Sequence, residues 1–108
     1  VGVSDDKSIE AVFGSLKTYF KTLDVGAHFH TTQESWKAKV STAYKHGCRK
    51  FDGAIRGFGG CPMAKDDLVG NMPTERLVEF FGNKNLQIDL KEFQKSVLLA
   101  DHLFTAYL

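Results

Sequence analysis

A chain of 108 residues has the size of one small domain, and 43% hydrophobic against 25% charged residues lets it bury a core, which excludes a disordered tail. Fourteen basic residues against thirteen acidic ones leave a formal net charge of +1, with Lys and Arg scattered along the chain, so no nucleic-acid partner is expected. No apolar run approaches the roughly 20 residues of a membrane span, the opening VGVSDDKSIE lacks the basic head and apolar core of a secretory signal, and two cysteines are too few for a disulfide-stapled scaffold.

Ile9, Val12, Phe13, Leu16, Tyr19 and Phe20 recur at helical spacing and predict an amphipathic helix over 4–20. Ser4 suits its N-cap, with Asp5 and Asp6 in the first turn. DVGAHFH reads as a short buried strand over 24–30. Helical spacing returns at Trp36, Val40, Ala43 and Tyr44, for a helix over 33–46 that Gly47 can end in the left-handed conformation. KFDGAI is a second strand over 50–55, with Cys48 before it as a packing residue, and a glycine-rich loop fills 56–72. Pro73 opens a helix over 73–81, whose apolar side is Leu77, Val78, Phe80 and Phe81. Asp89, with Glu92 three residues on, begins the last helix, 89–108, striped by Leu90, Phe93, Val97, Ala100, Phe104 and Leu108.

Strand, helix, strand is a parallel crossover unit. Two parallel strands with about four helices form an α/β piece that covers only one face of its sheet, whereas parallel sheets are normally covered on both. The order predicts a portion of a larger α/β protein, or a chain that completes its sheet with another copy. Self-association or strand exchange, a homo-oligomer in the simplest case, is the expected behaviour.

His28 and His30 alternate with Ala27 and Phe29, so both imidazoles share one face while Phe29 suits the helix-packed face. They lie at the carboxyl end of their strand, where parallel α/β folds place ligands. Two neutral imidazoles there can hold a divalent metal; polar strand ends bonded to neighbours are the other reading. Gly57, Gly59 and Gly60 give the following loop backbone freedom just before Cys61, and Pro62 holds Cys61 extended. GFGGC lacks the Lys-Ser/Thr pair of a phosphate loop. A thiol near a histidine or metal can exchange protons near neutral pH, and a half-buried loop cysteine without a role is the alternative. Asn83, Asn85, Ile88, Asp89 and Glu92 superficially match a calcium loop, but Phe81 and Leu86 would occupy its first ligand and glycine positions, which rejects it.

HFH, followed about thirty residues later by GFGGCPMAK and then by GNMPTE, resembles hydroxymethylglutaryl-CoA lyase over most of the chain. The resemblance implies the C-terminal quarter to third of a (β/α)8 TIM barrel, with the two strands as its seventh and eighth. It implies a carbon–carbon lyase that cleaves an acyl-CoA substrate, 3-hydroxy-3-methylglutaryl-CoA, to acetyl-CoA and acetoacetate, as in leucine degradation and ketone-body formation; Cys48 and Cys61, which could in principle pair, read on their own as reduced thiols of a cytoplasmic protein. It also implies metal ligands at His28, His30 and Asn71, a catalytic role shared by His28 and Cys61 with Cys61 as acid/base, and a divalent cofactor, Mg²⁺ or Mn²⁺. Arg56, at the end of the second strand, is a candidate contact for a substrate anion.

Three departures from the family pattern carry consequences. The Asp-Arg motif that supplies the family's remaining carboxylate ligand and catalytic arginine has no counterpart in this chain, so the chain alone is expected to hold metal weakly and to catalyse nothing. Thr31 stands where an acid usually follows HxH, and Lys65, Asp66 and Asp67 occupy a loop where small residues are commoner. A sister metal-dependent aldolase or condensing enzyme of the same superfamily, and a non-catalytic piece holding structural zinc, are the alternative functions.

Overall fold

The structure is a computed structural model and describes residues 2–59 and 69–105. Its elements in chain order are α1 (Asp6–Tyr19), β1 (Gly26–Ala27), α2 (Trp36–Lys45), β2 (Lys50–Phe51), a 3₁₀ turn (Ile55–Gly57), α3 (Thr74–Phe81) and α4 (Leu90–Thr105). The strands pair in parallel, Gly26 with Lys50 and Ala27 with Phe51, which matches the two-strand, four-helix α/β expectation.

Both strands are shorter than the apolar runs that suggest them, and the reason is tertiary. Beyond Ala27 and Phe51 the strand ends part, and residues 70–74 come back between them. On one side Thr31 N–H donates to the Gly70 carbonyl at 3.1 Å and Met72 N–H to that of Phe29 at 3.1 Å; on the other, Ala54 N–H donates to Met72 and Thr74 N–H to Ala54, both at 2.9 Å. This returning segment takes the backbone groups that a longer two-stranded ladder would have used. It also seats Asn71 opposite His30 in an antiparallel bridge.

The helix ends are set by local chemistry. Asp5, rather than Ser4, caps α1: its carboxylate accepts from Ser8 N–H at 2.8 Å while Ser8 Oγ accepts from Asp5 N–H at 2.9 Å. Gly47, at φ +97°, closes α2, with Gly47 N–H bonded to Tyr44 O and Cys48 N–H to Ala43 O. That pair of bonds delivers Cys48 straight into β2. Pro73 precedes the first turn of α3, and its carbonyl accepts from Arg76 and Leu77. Asp89 bonds the N–H groups of Lys91 and Glu92 at 3.0 Å and starts α4, while the Glu92 side chain turns instead to Lys95.

The core has two parts joined by Phe29 and Phe51. Ile9, Ala27, Ala43 and Cys48 pack under α1; Trp36, Val40, Met72 and Leu77 pack between α2 and α3. Val97 and Ala100 are buried on α4, but Leu90, Leu98, Leu99 and Leu103 of that helix are exposed, as are Val12 and Tyr19 of α1. Among the described residues no helix is long and apolar enough to cross a membrane.

Candidate metal centre

HFH lies just past the end of β1, and its side chains still alternate in direction. Phe29 turns into both parts of the core, and the rings of His28 and His30 stand side by side with centroids 5.3 Å apart and planes at 72°. Each ring has an oxygen acceptor at Nδ1. His28 Nδ1 lies 3.3 Å from Asp52 Oδ2, and His30 Nδ1 lies 3.4 Å from the Val69 carbonyl. A carbonyl only accepts, and a carboxylate accepts at neutral pH, so both rings carry their proton on Nδ1. That tautomer leaves Nε2 of each as the lone-pair donor, the arrangement that metal-binding histidines commonly have.

Asn71 follows the same logic. Its Nδ2 donates to the Phe58 carbonyl at 3.1 Å, which assigns the amide and leaves Oδ1 as its acceptor atom. The close approach is possible because Gly57 has φ +63° and no side chain; a Cβ there would sit 2.7 Å from the Asn71 carbonyl oxygen. Two imidazoles and one amide oxygen, each oriented through its other polar atom, are a donor set that fits a divalent cation. Among the described residues no three His, Cys, Asp or Glu side chains gather into a ready-made metal cluster.

The Arg56 guanidinium pairs with a carboxylate of the same chain. Nε and Nη2 each donate to Asp101 of α4 at 2.7 Å, and the Arg56 N–H donates to both oxygens of Glu75 at 3.0 Å. These bonds hold Arg56 at φ +59°, a left-handed conformation that costs an L-residue roughly 1–2 kcal/mol. Fork-to-fork pairing lowers the Asp101 carboxyl below the ordinary carboxylate range and raises the guanidinium further. Cys61, Gly60 and the acidic part of the loop lie outside the described residues; Gly59, at φ +88°, is the last described residue before them.

Sequence reasoning misses Lys39. It is 4% exposed, and its Nζ donates to the carbonyls of His30 at 3.0 Å and Gly2 at 2.9 Å. Burial pushes its ammonium below the usual lysine pKa. The clue was available, because Lys39 lies three residues after Trp36 and one before Val40, on the buried face of α2. Asp52 is different: only the register that sets Ala27 beside Phe51 brings it to His28. Cys48 is a packing residue, 2% exposed, and burial pushes its thiol up, away from reactivity.

No family model matches the chain. A hydroxymethylglutaryl-CoA lyase of Bacillus subtilis is 31% identical over 91 residues, which are 84% of this chain and 30% of that protein. The chain belongs to the hydroxymethylglutaryl-CoA lyase family. Another lyase relative, the (R)-citramalyl-CoA lyase of Chloroflexus aurantiacus, is 32% identical over 80 residues, 74% of this chain and 25% of that protein. The crystal structure of a B. subtilis HMG-CoA lyase superimposes with a TM-score of 0.79 at 27% identity, covering 94% of this chain and 34% of that one. An Acinetobacter baumannii HMG-CoA lyase in complex with coenzyme A and 3-methylmalate follows at TM-score 0.71 and 30% identity, covering 84% and 30%. The chain therefore spans about a third or less of the lyases it matches, and its fold is a portion of the lyase barrel.

Proposed function

We propose that the protein to which this chain belongs cleaves the carbon–carbon bond of 3-hydroxy-3-methylglutaryl-CoA, yielding acetyl-CoA and acetoacetate. The observation that carries this reading is the pair of imidazoles, His28 and His30, held side by side with both Nδ1 atoms on acceptors and both Nε2 atoms left to bind. His28, His30 and the Asn71 amide oxygen would hold a divalent cation, Mg²⁺ or Mn²⁺ for a mixed imidazole and oxygen set. When bound, the cation supplies a Lewis acid that polarises the tertiary hydroxyl of the substrate and fixes its orientation.

The chain's own residues do the rest. His28 contributes by keeping Nε2 toward the metal position with its Nδ1–H on Asp52, and the hydroxyl proton passes to water as the carbonyl of acetoacetate forms. Cys61 gives a proton to the enolate of acetyl-CoA and regains one from water, closing the proton balance. We place the reaction in the cytoplasm, with the cysteines reduced. The exposed leucines of α4 support association through that helix, with the remainder of the barrel or with a second copy.

Acetoacetate release from hydroxymethylglutaryl-CoA by the full-length protein tests the reading. Release that depends on added Mg²⁺ or Mn²⁺ is expected, and replacing Cys61 by serine should cut turnover by at least about a hundredfold, the scale of a lost acid/base group. Metal-independent release, or near-normal turnover of the serine variant, overturns it. The match to a citramalyl-CoA lyase at comparable identity favours one second reading, a sister β-hydroxyacyl-CoA substrate cleaved at the same metal. Pyruvate release from citramalyl-CoA, without acetoacetate release, would select it.

A further inference from the structure

We propose that Arg56 and Asp101 are positioning residues for the metal centre: the ion pair between the 3₁₀ turn and α4 holds the backbone that aims Asn71. This rests on the reading of Asn71 as a ligand. The described contacts that orient Asn71 from this side come from the two residues immediately after Arg56. Asn71 N–H donates to the Gly57 carbonyl at 3.2 Å, and Asn71 Nδ2 to the Phe58 carbonyl at 3.1 Å. Those two carbonyls point where they do because the chain turns left-handed at Arg56 and again at Gly57, with φ of +59° and +63°.

A left-handed arginine persists only where its surroundings over-determine it, and here three groups do. Asp101 grips the guanidinium with two bonds of 2.7 Å, Glu75 grips the Arg56 N–H with two of 3.0 Å, and Phe58 stacks on Phe104 of α4 at 3.9 Å and 7°. Asp101 and Phe104 lie one turn apart on α4 and bracket the turn from the same helix. Helix α4 is thereby a working part of the site rather than an appendage to it. Arg56 acts through Gly57 and Phe58.

Binding of Mn²⁺ alone, followed by electron paramagnetic resonance on the full-length protein, tests the assignment without using activity. Asp101→Ala and Arg56→Gly should each weaken Mn²⁺ about tenfold, the low end of what loss of a ligand-orienting group costs. The double variant should be no weaker than either single one, since both remove the same clasp. Arg56→Gly keeps φ +59° accessible, so misfolding does not explain its loss, and Asp101→Glu should recover part of the affinity. Lower thermal stability with unchanged Mn²⁺ affinity overturns the proposal, as does additive loss in the double variant. If the unaltered protein binds no Mn²⁺, or binds it equally well as His28→Ala, the metal reading itself has failed and takes this one with it.

Discussion

Met72→Ala asks whether packing holds the returning segment beneath the candidate metal centre. Met72 is 1% exposed and packs with Trp36, Val40 and Leu77. Alanine deletes three buried heavy atoms, worth about 2.4 kcal/mol at ~0.8 kcal/mol for each methylene-sized group. The cavity left behind adds to this, within the roughly 2–5 kcal/mol seen for such truncations. Half-buried Phe29 and Phe51 can lean into the void, and the Thr31 hydroxyl loses only a weak sulfur acceptor at 3.7 Å. The expected loss is therefore about 3 kcal/mol. Urea denaturation of the full-length protein, read as a midpoint shift at constant slope, measures it. Met72→Leu, which nearly conserves volume, should lose less than about 1.5 kcal/mol. Because Met72 is bonded through its backbone to Phe29 and Ala54, the alanine variant should also bind Mn²⁺ more weakly. A loss below about 1 kcal/mol, or equal losses for alanine and leucine, would refute a close-packed support.

Asp52→Ala removes the acceptor of His28 Nδ1, and since His28 and Asp52 are 59% and 75% exposed, water can partly replace it. Mn²⁺ affinity should drop about tenfold, by isothermal titration, with the urea midpoint unchanged; an unaltered affinity would mean that something else orients the imidazole. Acid sensitivity follows from the two depressed carboxyls, Asp101, held down first by its hydrogen bonds from Arg56, and Asp5, held down first by the Ser8 N–H. A carboxyl whose folded pKa lies below its unfolded value, about 4, adds stability that is fully present above that value and is lost as pH falls through the folded one. Urea midpoints should hold steady from neutral pH to about 4 on account of these groups and fall below it, less steeply in Asp101→Ala. An equally steep fall in that variant would remove Asp101 from the account.

Much of this chain was legible before any tertiary contact was known, because the features concerned are local. The apolar spacing of Trp36, Val40 and Ala43 dictates a helix wherever it packs, Gly47 ends it because glycine enters the left-handed region without strain, and alternation alone puts His28 and His30 on one face. Asp89 caps α4 through groups two and three residues away. The tertiary structure decided what depends on distant partners. Residues 24–30 and 50–55 have the apolar content of longer strands, yet the returning 70–74 segment claims their backbone bonds, and nothing local to either run announces it. The partner of Arg56, Asp101, lies 45 residues away, and no local pattern announces the pairing. Lys39 becomes a buried tie because the carbonyls of His30 and Gly2 meet over α2. The sequence by itself determined which side chains could serve a metal, and the long-range register and polar pairing decided how each was aimed, since a hydrogen bond needs a partner in place and a periodicity does not.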